Sequence, residues 1–206
     1  DTSICDGESI NIIASGGDTY SWDNGLGSGA TKTVSPTTTT TYVVTATDLG
    51  TGCKDTDEII IQVKALPIAF AGQDASVCIG NSTTLVATGG GNYSWDNGLG
   101  AGATQSVTPT NTTTYTVTVI NSDNCKDTDE IKITVNPLPT KPTITLFGSD
   151  LLSSAISGNH WLFNGISLPN ATEQTYTPSV KGYYSVQVTD INGCTNTSDS
   201  IEFLLQ

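Results

Sequence analysis

Apolar and polar residues alternate in short segments along the chain. Tyr115, Val117 and Val119 alternate with threonines, and the segment 127–135 ends in the same alternation of isoleucine or valine with polar residues. A period of two is that of a β-strand with one buried face. Because no long segment carries apolar residues at the 3.6-residue spacing of a helix, we predict an all-β protein.

Turn residues separate these segments at intervals that are typical of a β-sandwich. In the middle of the chain the segments 83–87, 92–96 and 105–108 precede the two just described. Asn97-Gly98 follows the second of them, and Asn-Gly favours a tight hairpin because both central residues of a type I′ turn need positive φ. About seven short antiparallel strands of this kind predict an immunoglobulin-like (Ig-like) sandwich.

One motif occurs twice. Residues 20–31 and 93–104 share the sequence Tyr-Ser-Trp-Asp-Asn-Gly-Leu-Gly, and their tryptophans, Trp22 and Trp95, lie 73 residues apart. This period exceeds the roughly 20 to 50 residues of a solenoid unit, so each copy is predicted to be a small domain. Trp161 indicates a third, divergent copy.

We therefore expect tandem Ig-like sandwich domains that follow one another in line. The first two end in apolar segments with proline, which removes a ladder donor and stiffens a linker. The chain begins without such a linker and stops where the last strand should finish, so we expect it to be a piece of a longer array. The predicted domains are residues 1–67, 68–139 and 140–206.

The repeated motif carries a resemblance to a known class of repeats. From Cys5 to Asp57 the chain reads Cys-x-Gly…Tyr-x-Trp-Asp-Asn-Gly…Val-x-Pro…Thr-Thr-Tyr-x-Val-Thr…Gly-Cys-x-Asp-x-Asp. This pattern resembles the PKD-like and Ig-like repeats of Bacteroidetes surface proteins, which occur in gliding-motility adhesins and in proteins exported by the type IX system. The resemblance implies an extracellular location at a bacterial cell surface, a stalk, adhesin or filament context, and no catalytic residues.

The charge balance limits the choice of partners. The net charge is −13, with 20 acidic and 7 basic residues, and binding of nucleic acid needs a basic face. No segment approaches the ~18 apolar residues of a membrane span, so we expect no membrane insertion. The acidity is explained by solubility and mutual repulsion, or by cation binding. Expected partners are neighbouring repeats of a longer chain, other copies in a fibre, and surface glycans.

Cysteines occupy matching positions in the first two repeats. Cys5 and Cys53 are 48 residues apart, and Cys78 and Cys125 are 47 residues apart, so we predict one disulfide within each repeat. A loop of this size would contribute about 4 kcal/mol of stability. Free thiols, or another of the three pairings that four cysteines allow, are the alternatives. In simple Ig order the turns after the first strand and after strand F lie at opposite ends, so Cys5 must lie away from the first of these turns.

The third repeat has only one cysteine of the pair. Cys194 matches Cys125, but Ile144 lies where the first cysteine would be. We expect Cys194 to be a lone thiol or to pair with another chain. Zinc is not expected, because the sequence has no Cys-x-x-Cys pair and its one histidine is His160.

Six aromatic residues recur at equivalent positions on the predicted strands. The tryptophans fall on strand C, which holds the buried centre of an Ig sandwich, and the tyrosines begin strand F. We predict that these residues pack in the domain cores, and exposed rings that stack on sugars are the alternative. They are Trp22, Trp95, Trp161, Tyr42, Tyr115 and Tyr184.

Acidic residues follow the second cysteine of each of the first two repeats. Asp-x-Asp-Glu occurs at 55–58 and at 127–130, close to Asp48 and Asp123 respectively, and carboxylate oxygens at such spacing suit Ca²⁺. The full EF-hand pattern is missing, and acidic residues at a strand start also protect a sheet edge. We predict no metal and no cofactor, with Ca²⁺ at these carboxylates as the alternative.

These observations together predict a structural or adhesive extracellular array, such as a stalk or fibre segment. The alternative is a glycan-binding module that uses the loops at one end of a sandwich. No two carboxylates are placed in a cleft as an acid and a base, so we predict that the chain is not an enzyme.

Overall fold

The structure is a computed structural model that describes residues 1–204. Leu205 and Gln206, which belong to the expected end of the last strand and of the third predicted domain, lie outside the described residues. Regular structure within residues 1–204 consists of strands alone, which confirms the predicted all-β class. No helix in this part of the chain is long and apolar enough to cross a membrane.

The first seven strands form two sheets. One sheet has the order β1-β7-β6-β3-β4 and the other pairs β2 with β5. The first strand runs parallel to the last one, and the other pairs are antiparallel. This order is that of an Ig-type sandwich. The strands are β1 (Thr2–Cys5), β2 (Ile10–Ile13), β3 (Thr19–Trp22), β4 (Gly27–Ser28), β5 (Thr31–Val34), β6 (Thr40–Thr47) and β7 (Lys54–Lys64).

The next seven strands repeat this topology. Their sheets have the orders β11-β10-β13-β14-β8 and β12-β9, so each strand has the position of the strand seven places before it. The Ig-like tandem prediction is thereby confirmed at the level of strand order. The strands are β8 (Ala75–Cys78), β9 (Thr83–Val86), β10 (Asn92–Trp95), β11 (Gly100–Ala101), β12 (Thr104–Val107), β13 (Thr113–Ile120) and β14 (Lys126–Asn136).

The last eight strands show a divergent version of the fold. One sheet has the order β15-β16-β19; the other has the order β18-β17-β20-β21, and β22 also pairs with β20. Here the first strand pairs antiparallel with the second, unlike the parallel first strands of the preceding repeats. The strands are β15 (Ile144–Phe147), β16 (Asp150–Ser153), β17 (Asn159–Phe163), β18 (Ile166–Ser167), β19 (Thr175–Tyr176), β20 (Gly182–Thr189), β21 (Thr195–Thr197) and β22 (Ile201–Phe203).

Four consecutive residues of the repeated motif, Trp95 to Gly98, have distinct structural roles. Asn97 and Gly98 both have positive φ, at 51° and 77°, as a type I′ turn requires. The carboxylate of Asp96 accepts a hydrogen bond from the backbone N–H of Thr116 on strand β13, at 3.0 Å. The tryptophan just before this aspartate, Trp95, is 4% exposed. In the motif, Trp95 therefore packs in the core, Asp96 bonds the neighbouring strand β13, and Asn97-Gly98 forms the turn.

Apolar side chains from both sheets of the first repeat meet in one core. The cluster combines residues of β1, β2, β3, β5, β6 and β7. A second cluster lies in the third repeat around Trp161, which is fully buried, with Leu151, Tyr184, Val186 and Phe203. All six aromatic residues predicted to lie in cores are less than 9% exposed. The first cluster consists of Ile4, Ile12, Trp22, Val34, Tyr42, Val44 and Ile61.

The described chain forms two compact units, which do not coincide with the three predicted repeats. Residues of the second repeat belong to both units, and the boundaries of the three predicted domains remain a prediction. The first unit comprises Asp1–Ala71, Val86–Ala103 and Thr116–Glu130, and the second comprises Gly72–Leu85, Thr104–Tyr115 and Ile131–Gln206.

Candidate functional site

Two disulfides join successive repeats. Cys5 is bonded to Cys125, with a Cα–Cα distance of 5.6 Å, and Cys78 is bonded to Cys194, with a Cα–Cα distance of 5.5 Å. Cys53 is an exposed free thiol. The predicted pairs within repeats, Cys5 with Cys53 and Cys78 with Cys125, are therefore corrected. The first bond lies within the first compact unit and the second bond within the second unit.

Strand length explains why the pairing within a repeat fails. Cys5 lies beside Lys64, the last residue of β7, in the parallel pairing of β1 with β7. Cys53 directly precedes Lys54, the first residue of that 11-residue strand. At about 3.3 Å per residue the two cysteines are separated by more than 30 Å, whereas a disulfide needs Cα atoms within about 7 Å. Cys5 and Cys53 thus lie at opposite ends of the sandwich, as the order of Ig strands implies, and they cannot form a disulfide.

Cys194 is not the lone thiol that the sequence led us to expect. It is fully buried and bonded to Cys78. Each first-strand cysteine pairs with a cysteine of the following repeat that lies in the turn after β13 or β20, here called the F–G turn. The third repeat has Ile144 in place of a first-strand cysteine, so it only receives a disulfide from the repeat before it. Cys53, in the first repeat, has no such partner within residues 1–204 and is free.

Polar contacts accompany the first disulfide. The side-chain amide of Asn121 donates to the backbone carbonyl of Ala65, at 2.9 Å. Lys64 Nζ lies 3.5 Å from a carboxylate oxygen of Asp123, and these side chains are 35% and 46% exposed, so solvent screens this ion pair and it contributes little. The covalent bond and the amide hydrogen bond are the stronger contacts here.

The second disulfide has a comparable contact. The side-chain amide of Asn196 donates to the backbone carbonyl of Pro139, at 3.0 Å. In both places an asparagine of the F–G region reaches a carbonyl of the linker between repeats. Asparagine offers two donors on a short side chain, so one residue can secure a linker without a buried charge.

The F–G turns of the second and third repeats present their cysteines by the same hydrogen bonds. The carbonyl oxygens of Cys125 and Cys194 accept hydrogen bonds from the N–H groups of Asn121 and Asp190, at 2.9 Å each. The side-chain oxygens of the same two residues accept the N–H groups of the cysteines, at 3.0 and 2.8 Å. Short polar side chains that bond their own turn are typical of Asn and Asp. These hydrogen bonds fix the backbone of each cysteine within its turn.

The linker between the first two repeats lies along the second repeat as an extended segment. Phe70 and Thr88 form an isolated antiparallel bridge, with N–H to carbonyl distances of 3.0 and 2.9 Å. Ala71 is fully buried. A Cβ placed on Gly89 would lie 2.6 Å from the carbonyl oxygen of Ile68, so glycine permits the close approach of linker and sandwich.

The Asp-x-Asp pair of the second repeat binds this linker. Asp127 accepts the backbone N–H of Ala69 at 3.0 Å, and Asp129 accepts that of Ala71 at 2.8 Å. Charged acceptors make the stronger hydrogen bonds to backbone N–H groups. This role was not anticipated from the sequence, where the same carboxylates were considered as Ca²⁺ ligands. Within residues 1–204 no group of three or more His, Cys, Asp or Glu residues is arranged to hold a metal ion.

The repeated tryptophans have their polar atoms satisfied inside the domains. The indole Nε1 of Trp22 donates to the carbonyl of Gly29 at 2.9 Å, and that of Trp95 donates to Gly102 at 3.0 Å. The Nε1 of Trp161 donates to the backbone carbonyl of Glu173 at 3.0 Å. Buried indoles usually find such partners. These rings therefore serve packing, and no exposed indole face is available for a sugar to stack on.

We expect the Asp129→Ala substitution to release the linker locally. It removes the charged acceptor of the Ala71 N–H, and losing such an acceptor costs about 1 to 3 kcal/mol. Amide hydrogen exchange at Ala71 should become about 5- to 100-fold faster. Asp57→Ala is the matched control, because Asp57 is the exposed equivalent in the first repeat. If both variants left the exchange of Ala71 unchanged, the carboxylate would not hold the linker.

Comparisons with known proteins show similarity in fold alone. No family model and no curated protein matches the chain. A titin segment of three Ig domains, an E-to-A variant, is 14% identical, covers 96% of this chain and 94% of its own, and has a TM-score of 0.38. Extracellular domains 3–5 of Drosophila OTK are 10% identical, with 100% and 94% coverage and a TM-score of 0.36.

Fibronectin(III)-like modules of Clostridium thermocellum CbhA are 15% identical to this chain. They cover 68% of this chain and 94% of their own, with a TM-score of 0.38. These likenesses carry no information about function here. The Ig-like assignment rests on the strand orders of the protein itself.

Proposed function

We propose that the chain is a segment of an extracellular repeat array that bears tension, such as a stalk, adhesin or fibre of a bacterial cell-surface protein. The observation that carries this proposal is the disulfide between the first strand of one repeat and the F–G turn of the next. Stable structural disulfides are typical of oxidising compartments, which supports an extracellular location. The resemblance of the Cys5–Asp57 pattern to Bacteroidetes surface repeats supports a gliding-adhesin or type IX context.

Disulfides in this arrangement limit how far the array can lengthen when its sandwiches unfold. The shortest covalent path runs from the N-terminus to Cys5, across to Cys125, back along the chain to Cys78 and across to Cys194. Fully extended at roughly 3.6 Å per residue, this path reaches about 240 Å, against about 740 Å for the same chain without disulfides. About two thirds of the contour length therefore stays locked under load.

Pulling single molecules by their two ends tests this proposal. Without reductant, the fully unfolded chain should reach about 240 Å, and after reduction about 740 Å. Disulfides within repeats would instead allow about 400 Å before reduction. An unreduced chain that extends beyond 400 Å would remove the covalent limit on extension and with it the tension-bearing function.

A further inference from the structure

The first repeat has an open groove at the position where the second repeat holds its linker. The groove has a volume of about 630 Å³. Both apolar and polar residues line it, and the polar ones include carboxylates. Backbone of the same sandwich edge, in the second repeat, forms a bridge with the linker through Thr88, and the equivalent residue here is Ser15. Residues that line the open groove include Ile12, Ala14, Ser15, Gly16, Asp55 and Asp57.

Matched residues of the two repeats show what the linker covers. Ala87 is 3% exposed, whereas its equivalent Ala14 is only half-buried. A Cβ on Gly89 would clash with the carbonyl of Ile68, whereas a Cβ on the equivalent Gly16 would meet no atom within 4 Å. The two edges share their residue types and differ in whether an extended segment lies on them.

The carboxylates of the two edges differ in the same way. Asp127 and Asp129 are half-buried and accept N–H groups of the linker. Asp55 and Asp57 are exposed, and their Oδ1 atoms accept the N–H groups of the residues that follow them, at 2.9 Å each. The open groove thus retains the two acceptors that hold an extended backbone in the second repeat.

Cys53 lies in the turn that presents a disulfide cysteine in both other repeats. The N–H of Asp48 donates to the carbonyl of Cys53 at 3.0 Å, as Asn121 does to Cys125. The Asp48 carboxylate accepts hydrogen bonds from the backbone N–H and from the hydroxyl of Thr51. Both bonds lower the pKa of this carboxyl, the backbone bond more strongly. The cysteine is exposed here, whereas Cys125 is 1% exposed in its disulfide.

We propose that the open groove binds the extended apolar linker of another Ig-like repeat, and that Cys53 forms a disulfide with the first-strand cysteine of that repeat. The donor is a repeat of the same kind as the first one, followed by a segment like Ala65–Ala71. This inference rests on the array organisation proposed above and specifies how the array continues. Bond formation removes two protons and two electrons from two thiols, and a disulfide oxidant such as oxidised glutathione accepts them and becomes two thiols.

A second identical chain does not supply the donor. Its first-strand cysteines, Cys5 and Cys78, are both bonded already. Its segment from Ala69 to Ala71 is held by its own second repeat. The occupant must therefore bring an unpaired first-strand cysteine and an unoccupied linker.

A four-repeat chain tests the proposal directly. A second copy of residues 1–73 is placed ahead of Asp1 of the 206-residue chain, which reproduces the spacing between Asp1 and Asp74. The chain is refolded with reduced and oxidised glutathione and mapped without reduction. We expect Cys5 of the added copy to be linked to Cys53 of the original repeat, and Cys53 of the added copy to react with a maleimide. A reactive Cys53 in the original repeat, or a Cys53–Cys53 dimer formed by it, would overturn the proposal.

Hydrogen exchange in the same four-repeat chain tests the groove separately. The amide of Ser15 in the original first repeat should exchange at least tenfold more slowly than in the 206-residue chain, because the added linker bridges it as Phe70 bridges Thr88. Asp57→Ala, which we expect to leave Ala71 exchange unchanged in the 206-residue chain, should reverse much of this protection. The Cys53→Ser variant should keep the protection. Unchanged exchange at Ser15 would refute docking, while the Cys5–Cys125 bond and the proposed function would stand.

Discussion

Replacing Cys125 by serine is expected to lower the stability of the chain by about 2 to 5 kcal/mol. The lost disulfide spans 120 residues, and closing a loop of that size restricts the unfolded chain strongly. The substitution also leaves Cys5 without its partner. Urea unfolding followed by tryptophan fluorescence should show the loss as a lower midpoint, together with faster proteolysis near Ala65.

Two further serine variants show which pairing is responsible. Cys5→Ser removes the other half of the same bond and should reproduce the effect of Cys125→Ser. Cys53→Ser changes an exposed free thiol and should alter stability by no more than about 0.5 kcal/mol. Equal losses in Cys5→Ser and Cys53→Ser would instead identify a bond within the first repeat.

Trp161→Ala is expected to unfold the third repeat or bring it close to unfolding. The side chain is completely buried, with 0% of its surface exposed to solvent. Truncating such a residue to alanine costs about 3 to 5 kcal/mol of stability. The predicted domain 140–206 would have a total stability of about 3 to 10 kcal/mol, at roughly 0.05 to 0.15 kcal/mol per residue. Amide exchange at Val186 and loss of dispersed methyl signals would report the change.

The control for this prediction is a surface residue of the same repeat. Ile191 is 101% exposed, and Ile191→Ala should change stability by less than about 0.5 kcal/mol. A Trp161→Ala protein with native exchange rates at Val186 would show that the third repeat does not depend on its aromatic core.

The strands could be predicted from the sequence because their determinants are local. Alternation of side chains marks a half-buried strand wherever it occurs, and the alternating residues Tyr115, Val117 and Val119 lie on β13, Thr113–Ile120. The Asn97-Gly98 reversal was equally accessible, because positive φ is a property of the turn residues themselves. The antiparallel pairing of β15 with β16 could not be predicted, because no sequence motif distinguishes it from the parallel pairing of the first strands in the other repeats.

The disulfide pairing was harder to predict because it joins residues about 120 positions apart. Similar spacing of Cys5–Cys53 and Cys78–Cys125 reflects the repeat period and carries no information about contact. Two features of the sequence do favour the observed pairing: the length of the last strand, which separates the cysteines of one repeat, and the absence of a first-strand cysteine from the last repeat alone. If each first-strand cysteine pairs with the next repeat, Cys5 and Cys78 use Cys125 and Cys194, and Cys53 remains unpaired.

The role of the Asp-x-Asp carboxylates could not be derived from the sequence. Asp127 and Asp129 act on backbone N–H groups of Ala69 and Ala71, and backbone groups leave no residue-type signal. Their position at the linker depends on how the linker crosses the sandwich edge. The sequence shows the alternating acidic residues, but not that they bond the backbone of the linker.

Disulfide mapping of the unreduced 206-residue protein tests the central claim most directly. Digestion with trypsin and with a protease that cleaves before aspartate separates Cys78 from Cys125, for example at Asp96, so every pairing gives distinct linked peptides. We predict Cys5 linked to Cys125, Cys78 linked to Cys194, and Cys53 labelled by a maleimide without reduction. Linked peptides that join Cys5 to Cys53 and Cys78 to Cys125 would contradict the covalent connection between repeats.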